Sequence, residues 1–390
     1  MKIIGIENEQ IVKKQINARK ILITVLIFLV ALIFGIISLL YIFNKNFRNF
    51  MDKYILMKNV MENAVTAIQI EESQANLIYA YDKYISILSQ NKLIGYNSDG
   101  GKEYELDIEI ADPIVDTNNR FLLIAEKEKQ KIYLISGNSI EWQNELEGNI
   151  SRVSVNKNGY VSVVLSGTSY KSIIQIFDPS GNSMFKTYLS SSIVVDTDIS
   201  NDNKYLSFAE ISTNGTVVKS MIKTLPVQNA QESKITNIST VNDAIITNLK
   251  YQDGNKLMCM YNNSIHLLQG ESDEELYNLE QQKITFADIE LTNHAYIVNE
   301  KSSLLTTQTT VEIINTSSKK ISKYEIDSGV KEIYSHNENI ALNLGSEVHF
   351  IGTNGWLNRK YISTQEVRKI VLADNFAGIV YRDKIEIVKL

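Results

Sequence analysis

The run DISNDNKYLSFAEI, residues 198–211, carries the information that decides the fold. Alternating apolar residues enter a polar turn, SNDN, and the alternation resumes at once with Tyr205 and Leu206. The same arrangement returns at 153–165 (VSVNKNGYVSVVL) and at 114–124 (IVDTNNRFLLI). Period-two apolar runs broken by Asn, Asp, Gly and Ser predict antiparallel strands joined by tight turns. Aligning the chain on these turns places anchors near Asn119, Gly159, Asn203, Asn255, His294, Asn339 and Phe376, spaced 40, 44, 52, 39, 45 and 37 residues apart. A period near 40 with four strands per repeat matches propeller blades better than other repeat classes.

Each unit continues with a third strand, a turn and a short outer strand, as in IIQIFDPSGNSMFKTYL (173–189), KLIGYNSDGGKEYELDI (92–108) and EVHFIGTNGWLNRKYI (347–362). DPSG, NSDG and GTNG fit reverse turns. Pro179 presets φ, the glycines accept positive φ, and Asp178 and Asn97 can cap their own turns. These residues read as hairpin chemistry, not as ligands for metal or phosphate.

The prediction is therefore an all-β propeller of eight four-stranded blades, at 76–108, 109–148, 149–190, 191–239, 240–280, 283–326, 328–363 and 366–390, or of seven if one unit is wrongly split. The last unit supplies only three strands, VRKIVLA, FAGIVY and KIEIVKL. A ring leaves no blade open, so the orphan run AVTAIQI at 64–70 is expected to supply the missing strand.

The hairpin SNDNKYLSF (200–208) resembles the inner hairpin of bacterial envelope propellers of the TolB and PQQ-like kinds, and the blade-ending turns resemble PQQ-like repeats. As a whole the chain resembles an uncharacterised family of membrane-anchored propellers from clostridia-like Firmicutes. That resemblance implies no known activity. It also departs from the quinoprotein dehydrogenases, which use Trp-containing blade repeats, a vicinal cysteine pair and calcium ligands. Two tryptophans, Trp142 and Trp356, and one cysteine stand against that cofactor.

Before the repeats, Ile21 to Phe43 is a run of 23 uncharged, mostly aliphatic residues. It is long enough for a hydrocarbon core of about 30 Å. It is too long for the apolar region of a cleaved signal peptide, and SLLYIFNKNF has no small-residue cleavage site, so an uncleaved signal anchor is expected. Lys2, Lys13, Lys14, Arg19 and Lys20 precede it and Lys45, Arg48, Lys53 and Lys58 follow, a nearly even balance. Long domains translocate largely regardless of charge, so the expected order is a short cytoplasmic tail (1–20), the span (21–43), a juxtamembrane helix or stalk (44–61) and an extracytoplasmic propeller (62–390). In the stalk, Phe47, Phe50, Met51, Tyr54, Ile55 and Met61 recur at roughly helical spacing.

Net charge is −6, divided as +6 over residues 1–60 and −12 over the rest. An acidic bulk argues against a nucleic-acid binder. Cys259 in KLMCMY reads as a small buried hydrophobe, and a single cysteine makes no internal disulfide. G-x-S-x-G, H-E-x-x-H, Walker A, G-x-G-x-x-G and Asp-box patterns are absent. Of the four histidines, His266 and His349 belong to third strands, and His294 and His336 lie in or beside inter-strand turns. No acidic or cysteine partner recurs with them at useful spacing, so they read as scattered structural residues. The acidic run ESDEEL (271–276) reads as a solvated loop, since its carboxylates are consecutive and Gly270 precedes them. NAQESKITNISTVNDA (229–244) is the longest polar insertion and accounts for the 52-residue spacing.

No catalytic, cofactor-binding or metal-binding residue is assigned. Three functions fit the pattern: a non-catalytic scaffold for an envelope protein or wall polymer, a ligand sensor relaying through the inner tail, and a glycan- or lactone-active hydrolase working at the ring centre.

Overall fold

A computed structural model describes residues 18–44, 47, 51, 55, 66–89, 91–167, 169–212, 218–228, 236–238, 244–280, 284–303, 306–363 and 365–390. The chain forms two compact units, Met1–Val60 and Met61–Leu390. The first unit contains helix α1, Ala18–Phe43. Its stretch Val25–Phe43 has mean hydropathy 3.0 over 19 residues and none of it is buried, so it is long and apolar enough to cross a membrane. The expected tail lies outside the described residues up to residue 17, as does the expected stalk apart from Asn44, Phe47, Met51 and Ile55.

The second unit is an eight-bladed propeller of four-stranded antiparallel sheets. Blades 1 to 7 run in chain order over 78–107, 113–145, 149–189, 192–238, 246–278, 284–326 and 332–362. Blade 8 takes three strands from 369–389 and its outer strand, Thr66–Gln69, from the start of the unit. Thr66 pairs with Ile387 and Gln69 with Lys384, so the orphan run closes the ring as expected. Within each blade the strands are named inner, second, third and outer. Inner strands begin at the lower face, and the inner–second and third–outer turns lie at the upper face.

Eight hydrophobic clusters fill the eight spaces between neighbouring blades. One example joins Phe121, Leu123, Ala125 and Trp142 of blade 2 to Val161, Val163, Leu165 and Phe177 of blade 3. A blade's sheet has two apolar faces, and only stacking against neighbours removes both from water. Period two is accordingly weakest where burial is greatest. The second strands, such as Phe121–Glu126 and Val161–Ser166, have five consecutive buried residues because both of their faces are covered.

The inner–second turns explain the repeated polar sentence. Asp82, Asn119, Gly159, Asn203, Asn255, Asn293 and Asn337 all have φ between 49° and 85°, one in each of blades 1 to 7. Left-handed backbone favours glycine, and asparagine and aspartate tolerate it best among the others. The anchors at Asn119, Gly159, Asn203 and Asn255 are therefore the left-handed residues themselves. In blades 6 and 7 the left-handed residue falls one or two positions before the expected anchor.

Two sequence readings change. ESDEEL is not a loop: Ser272–Asn278 is the outer strand of blade 5 and pairs with Ser264–Gln269. An outer strand needs backbone partners along one edge only, so its side chains can stay in water, and its carboxylates discourage edge-to-edge pairing. Within the polar insertion, Thr236–Ile238 is the outer strand of blade 4, while 229–235 and 239–243 lie outside the described residues.

Candidate functional site

The inner strands surround an axial channel that holds a cavity of about 560 Å³ reaching toward the upper face. Its walls come from every blade and include Tyr79, Asp116, Lys157, Asn201, Lys250, Glu290, His336 and Lys369. An inner strand is the edge of its sheet, so some of its N–H groups have no partner within the blade. Carboxylates of the preceding blade supply the acceptors.

Asp116 accepts the N–H of Val155 in blade 3 at 2.7 Å. Asp196 and Asp198 of blade 4 accept the N–H groups of Leu249 and Tyr251 in blade 5, each at 2.7 Å. Asp288 of blade 6 accepts the hydroxyl of Ser335 in blade 7 at 3.3 Å. In Asp116, Asp198 and Asp288 the other oxygen accepts the N–H of the following residue, at 2.9, 2.9 and 2.6 Å. The latches thus leave from blades 2, 4 and 6.

These acids are costly to ionise. Burial pushes Asp196 up to about 7, against hydrogen bonding from the Leu249 N–H. Burial pushes Asp198 and Asp288 up to about 6 and raises Asp116 as well. Lys250 lies among them, 3.0 Å from the Glu290 carboxylate. Burial pulls its ammonium down, but Glu290, Asp116 and Asp198 together hold it above the ordinary lysine range. Across the channel, Lys369 of blade 8 donates to the carbonyl of Ile78 at 2.7 Å and lies 4.9 Å over the Tyr79 ring. Burial lowers it to about 8. Every one of these groups ties one blade to another or compensates a group that does.

The upper rim is stitched in the same way by amides. Asn156 donates to Asn203 at 2.6 Å, Asn255 to Asp202 at 2.7 Å, and Asn293 to Asp253 at 2.8 Å. Gln252 accepts the N–H of Asn293 at 2.5 Å and donates to the Ile289 carbonyl at 3.3 Å.

The residues singled out in the sequence are not brought together. Cys259 is buried in the second strand of blade 5, and burial raises its thiol well above the usual range. Asp178 and Asn97 cap their turns: Asp178 accepts the N–H groups of Ser180 and Asn182, and Asn97 those of Asp99 and Gly101, all at 2.9 Å. His266 and His349 are in third strands, and His294 and His336 flank inner–second turns. Three of them do have acidic partners, of which only Glu347, two residues before His349 on the same strand face, is visible in the sequence. His266 meets Asp273 at 2.7 Å, His349 meets Glu347 at 3.1 Å, and His336 stands 3.5 Å from Asp374. His294 instead bonds the Thr292 carbonyl and the Asn315 amide, at 2.8 and 2.9 Å. Among the described residues no group of three His, Cys, Asp or Glu is arranged to hold a metal ion.

Sequence reasoning missed the axial carboxylates, although a signal exists. In VDTN (115–118), VDTD (195–198) and ADIE (287–290), Asp116, Asp198 and Asp288 recur at one place in the inner strands of alternate blades, each opposite the third residue of its second strand.

Residues 52–390 match the model of a family of unknown function, DUF5711. The chain belongs to this family. No curated protein sequence matches this DUF5711 chain. Among solved structures it is similar to the C-terminal WD40 domain of Sif2, at 12% identity and TM-score 0.56, over 84% of this chain and 98% of that one. It is also similar to the dihydro-heme d1 dehydrogenase NirN, at 9% identity and TM-score 0.53, over 83% and 75% of the two chains. BamB from Moraxella catarrhalis aligns at 12% identity and TM-score 0.49, over 84% and 97%. At these identities the likeness of the DUF5711 chain to Sif2 and NirN is one of fold.

Proposed function

We propose that the protein is a single-pass membrane protein whose propeller, on the extracytoplasmic side, works as a non-catalytic scaffold for an envelope protein or wall polymer. The observation that carries this reading is the use to which the axial groups are put. Asp116, Asp196 and Asp198 spend their carboxylates on N–H groups of the next blade, and Lys250 is paired with Glu290. A general acid or base must be able to reach a substrate proton, whereas these groups hold a ring rigid. The fold is shared by a WD40 domain and by a dehydrogenase, so the fold does not choose between scaffold and enzyme. The channel chemistry favours the scaffold. Membrane attachment is supported by the exposed apolar helix α1, and confinement near a bilayer would raise the ring's effective concentration for partners there.

The test is crosslinking of the tagged full-length chain in its own membranes, compared with residues 1–60 alone. A partner recovered only when the ring is present supports the scaffold. Identical recovery from both would sink it. The cavity itself favours a second reading, in which a small ligand occupies the channel and the chain acts as a sensor. Calorimetric binding of a cell-envelope fragment, lost on blocking the channel with Asn201→Trp, would favour that reading.

A further inference from the structure

One sector of the lower face differs from the rest of the ring. Tyr170, Tyr188, Ile193, Val218 and Ile245 are between 40% and 52% exposed, although each is aromatic or aliphatic. All five sit where second–third loops, outer-strand ends and inner-strand starts meet, in blades 3, 4 and 5. They line two neighbouring seams, between blades 3 and 4 and between blades 4 and 5. The rings of Tyr170 and Tyr188 are 4.9 Å apart. The N–H of Val194 donates to Ser172 Oγ at 3.1 Å, which sets Ile193 beside the Tyr170 loop. The N–H of Ile246 donates to Ser220 Oγ at 3.3 Å, which sets Ile245 beside Val218.

Charge distinguishes the sector as well. Lys171 is exposed there and reaches the Ser191 carbonyl across the strip at 3.3 Å, and Lys219 follows Val218 in the chain. The described residues of these second–third loops and of the blade 3–4 connection carry no carboxylate, although residues 61–390 together carry −12. Asp243, which the sequence places nearby, lies outside the described residues.

We propose that this sector of blades 3–5 rests on an anionic lipid surface, with its apolar tips in the interfacial layer and its cations over the head groups. The strip is made of strand ends and the Tyr170 loop rather than a groove, so it suits a plane. Tyrosine is enriched at membrane interfaces, and aliphatic side chains with Lys and Arg beside them are the composition of interfacial segments. A second copy docking by a two-fold contact would set this cationic sector against its own counterpart and meet repulsion, whereas anionic head groups meet the local cations. The surface is at hand because the same chain carries α1, and to that extent the proposal rests on the membrane-anchored reading. It leaves the upper face and the channel mouth open to a partner.

The full chain is reconstituted into lipid nanodiscs with an environment-sensitive fluorophore on Ile193→Cys, and in a separate preparation on Ser180→Cys at the upper face; the native thiol is buried. Expected is quenching of the 193 label by spin-labelled lipid, several-fold stronger with phosphatidylglycerol than with phosphatidylcholine alone, weakened by salt, and absent at 180. Adding Tyr188→Glu and Ile245→Glu should abolish the quenching at 193 without changing the thermal unfolding of the ring. Retention of the chain in alkaline carbonate is scored in parallel. An unquenched 193 label on a retained chain overturns the lipid contact and leaves the anchor standing. A chain stripped by carbonate overturns the anchor, and the proposal with it. Shielding of the 193 label from aqueous iodide only when other membrane proteins are added overturns the lipid contact in favour of a protein one.

Discussion

Asp198 shows how much one axial side chain holds. It accepts from Tyr251 in blade 5, from its neighbour Ile199, and from Ser154 in blade 3 at 3.2 Å. Asp198→Ala would leave buried donors without acceptors, at a cost of about 1–3 kcal/mol. Asp198→Asn keeps an acceptor oxygen and removes a charge that is costly to bury, so it should be more stable than the alanine variant by a similar margin in urea denaturation. Equal stability of the two would contradict the latch. Gly181 is a second such point. Its φ is 82°, and a β-carbon there would fall 2.6 Å from Cγ of Trp142 in the preceding blade. Gly181→Ala should therefore cost roughly 1–3 kcal/mol through backbone strain and overpacking together, read as a lower melting temperature. The turn itself was legible from DPSG. That its glycine also abuts the previous blade was not, because nothing local records what a neighbouring repeat will place there.

Among the elements, the closing strand Thr66–Gln69 is the one outer strand that comes from the far end of the unit's sequence. Ile68 is buried between Ile385, Ile387 and the first blade's Ile78 and Ile85. Ile68→Ala should cost about 2–5 kcal/mol, and denaturation should show the loss. Beside it, Glu72 binds Arg368 at 3.0 Å and Arg382 at 2.8 Å. All three side chains are 42% exposed or more, so Glu72→Ala should cost far less than Ile68→Ala, less still in high salt. A larger loss for Glu72 than for Ile68 would mean that charge rather than burial closes the ring. The strand was readable in advance from a missing fourth strand at one end and an unused apolar run at the other. The outer strand Ser272–Asn278 was not, since acidic composition reads as loop and only its pairing with the third strand reveals it.

At the scale of the whole molecule, the axial carboxylates give stability a pH dependence of unusual sign. Asp196, Asp198 and Asp288 titrate near 7, 6 and 6 when folded, against about 3.9 when unfolded. Between about pH 4 and 7 the folded chain therefore binds more protons, and its stability falls as pH rises through that window. Asp202 has the opposite sign. Burial would raise it, yet hydrogen bonds from Ser200, Asn255 and Lys204 hold it at about 2. The stability it contributes is present above about pH 4 and is lost toward pH 2. Urea midpoints of the ring, followed by Trp142 and Trp356 fluorescence, should peak near about pH 4–5 and decline toward 7. Midpoints that rise steadily from 5 to 7 would show that the axial acids are not buried as described.

The sequence by itself determined the class of fold, the blade boundaries, the turn chemistry and the closing strand. Those depend on local rules: period-two patterning, left-handed turn residues, and a count of strands per repeat. The channel was decided by tertiary structure alone. VDTN, VDTD and ADIE lie about 80 to 90 residues apart, and each looks like an ordinary polar interruption of a strand. Only closing the ring turns those inner edges toward one axis, where unpaired N–H groups of one blade require carboxylates from the one before it. The exposed strip on blades 3–5 has the same origin: Tyr170 meets Ile193, and Val218 meets Ile245, because stacking, not sequence, sets which loops share a face.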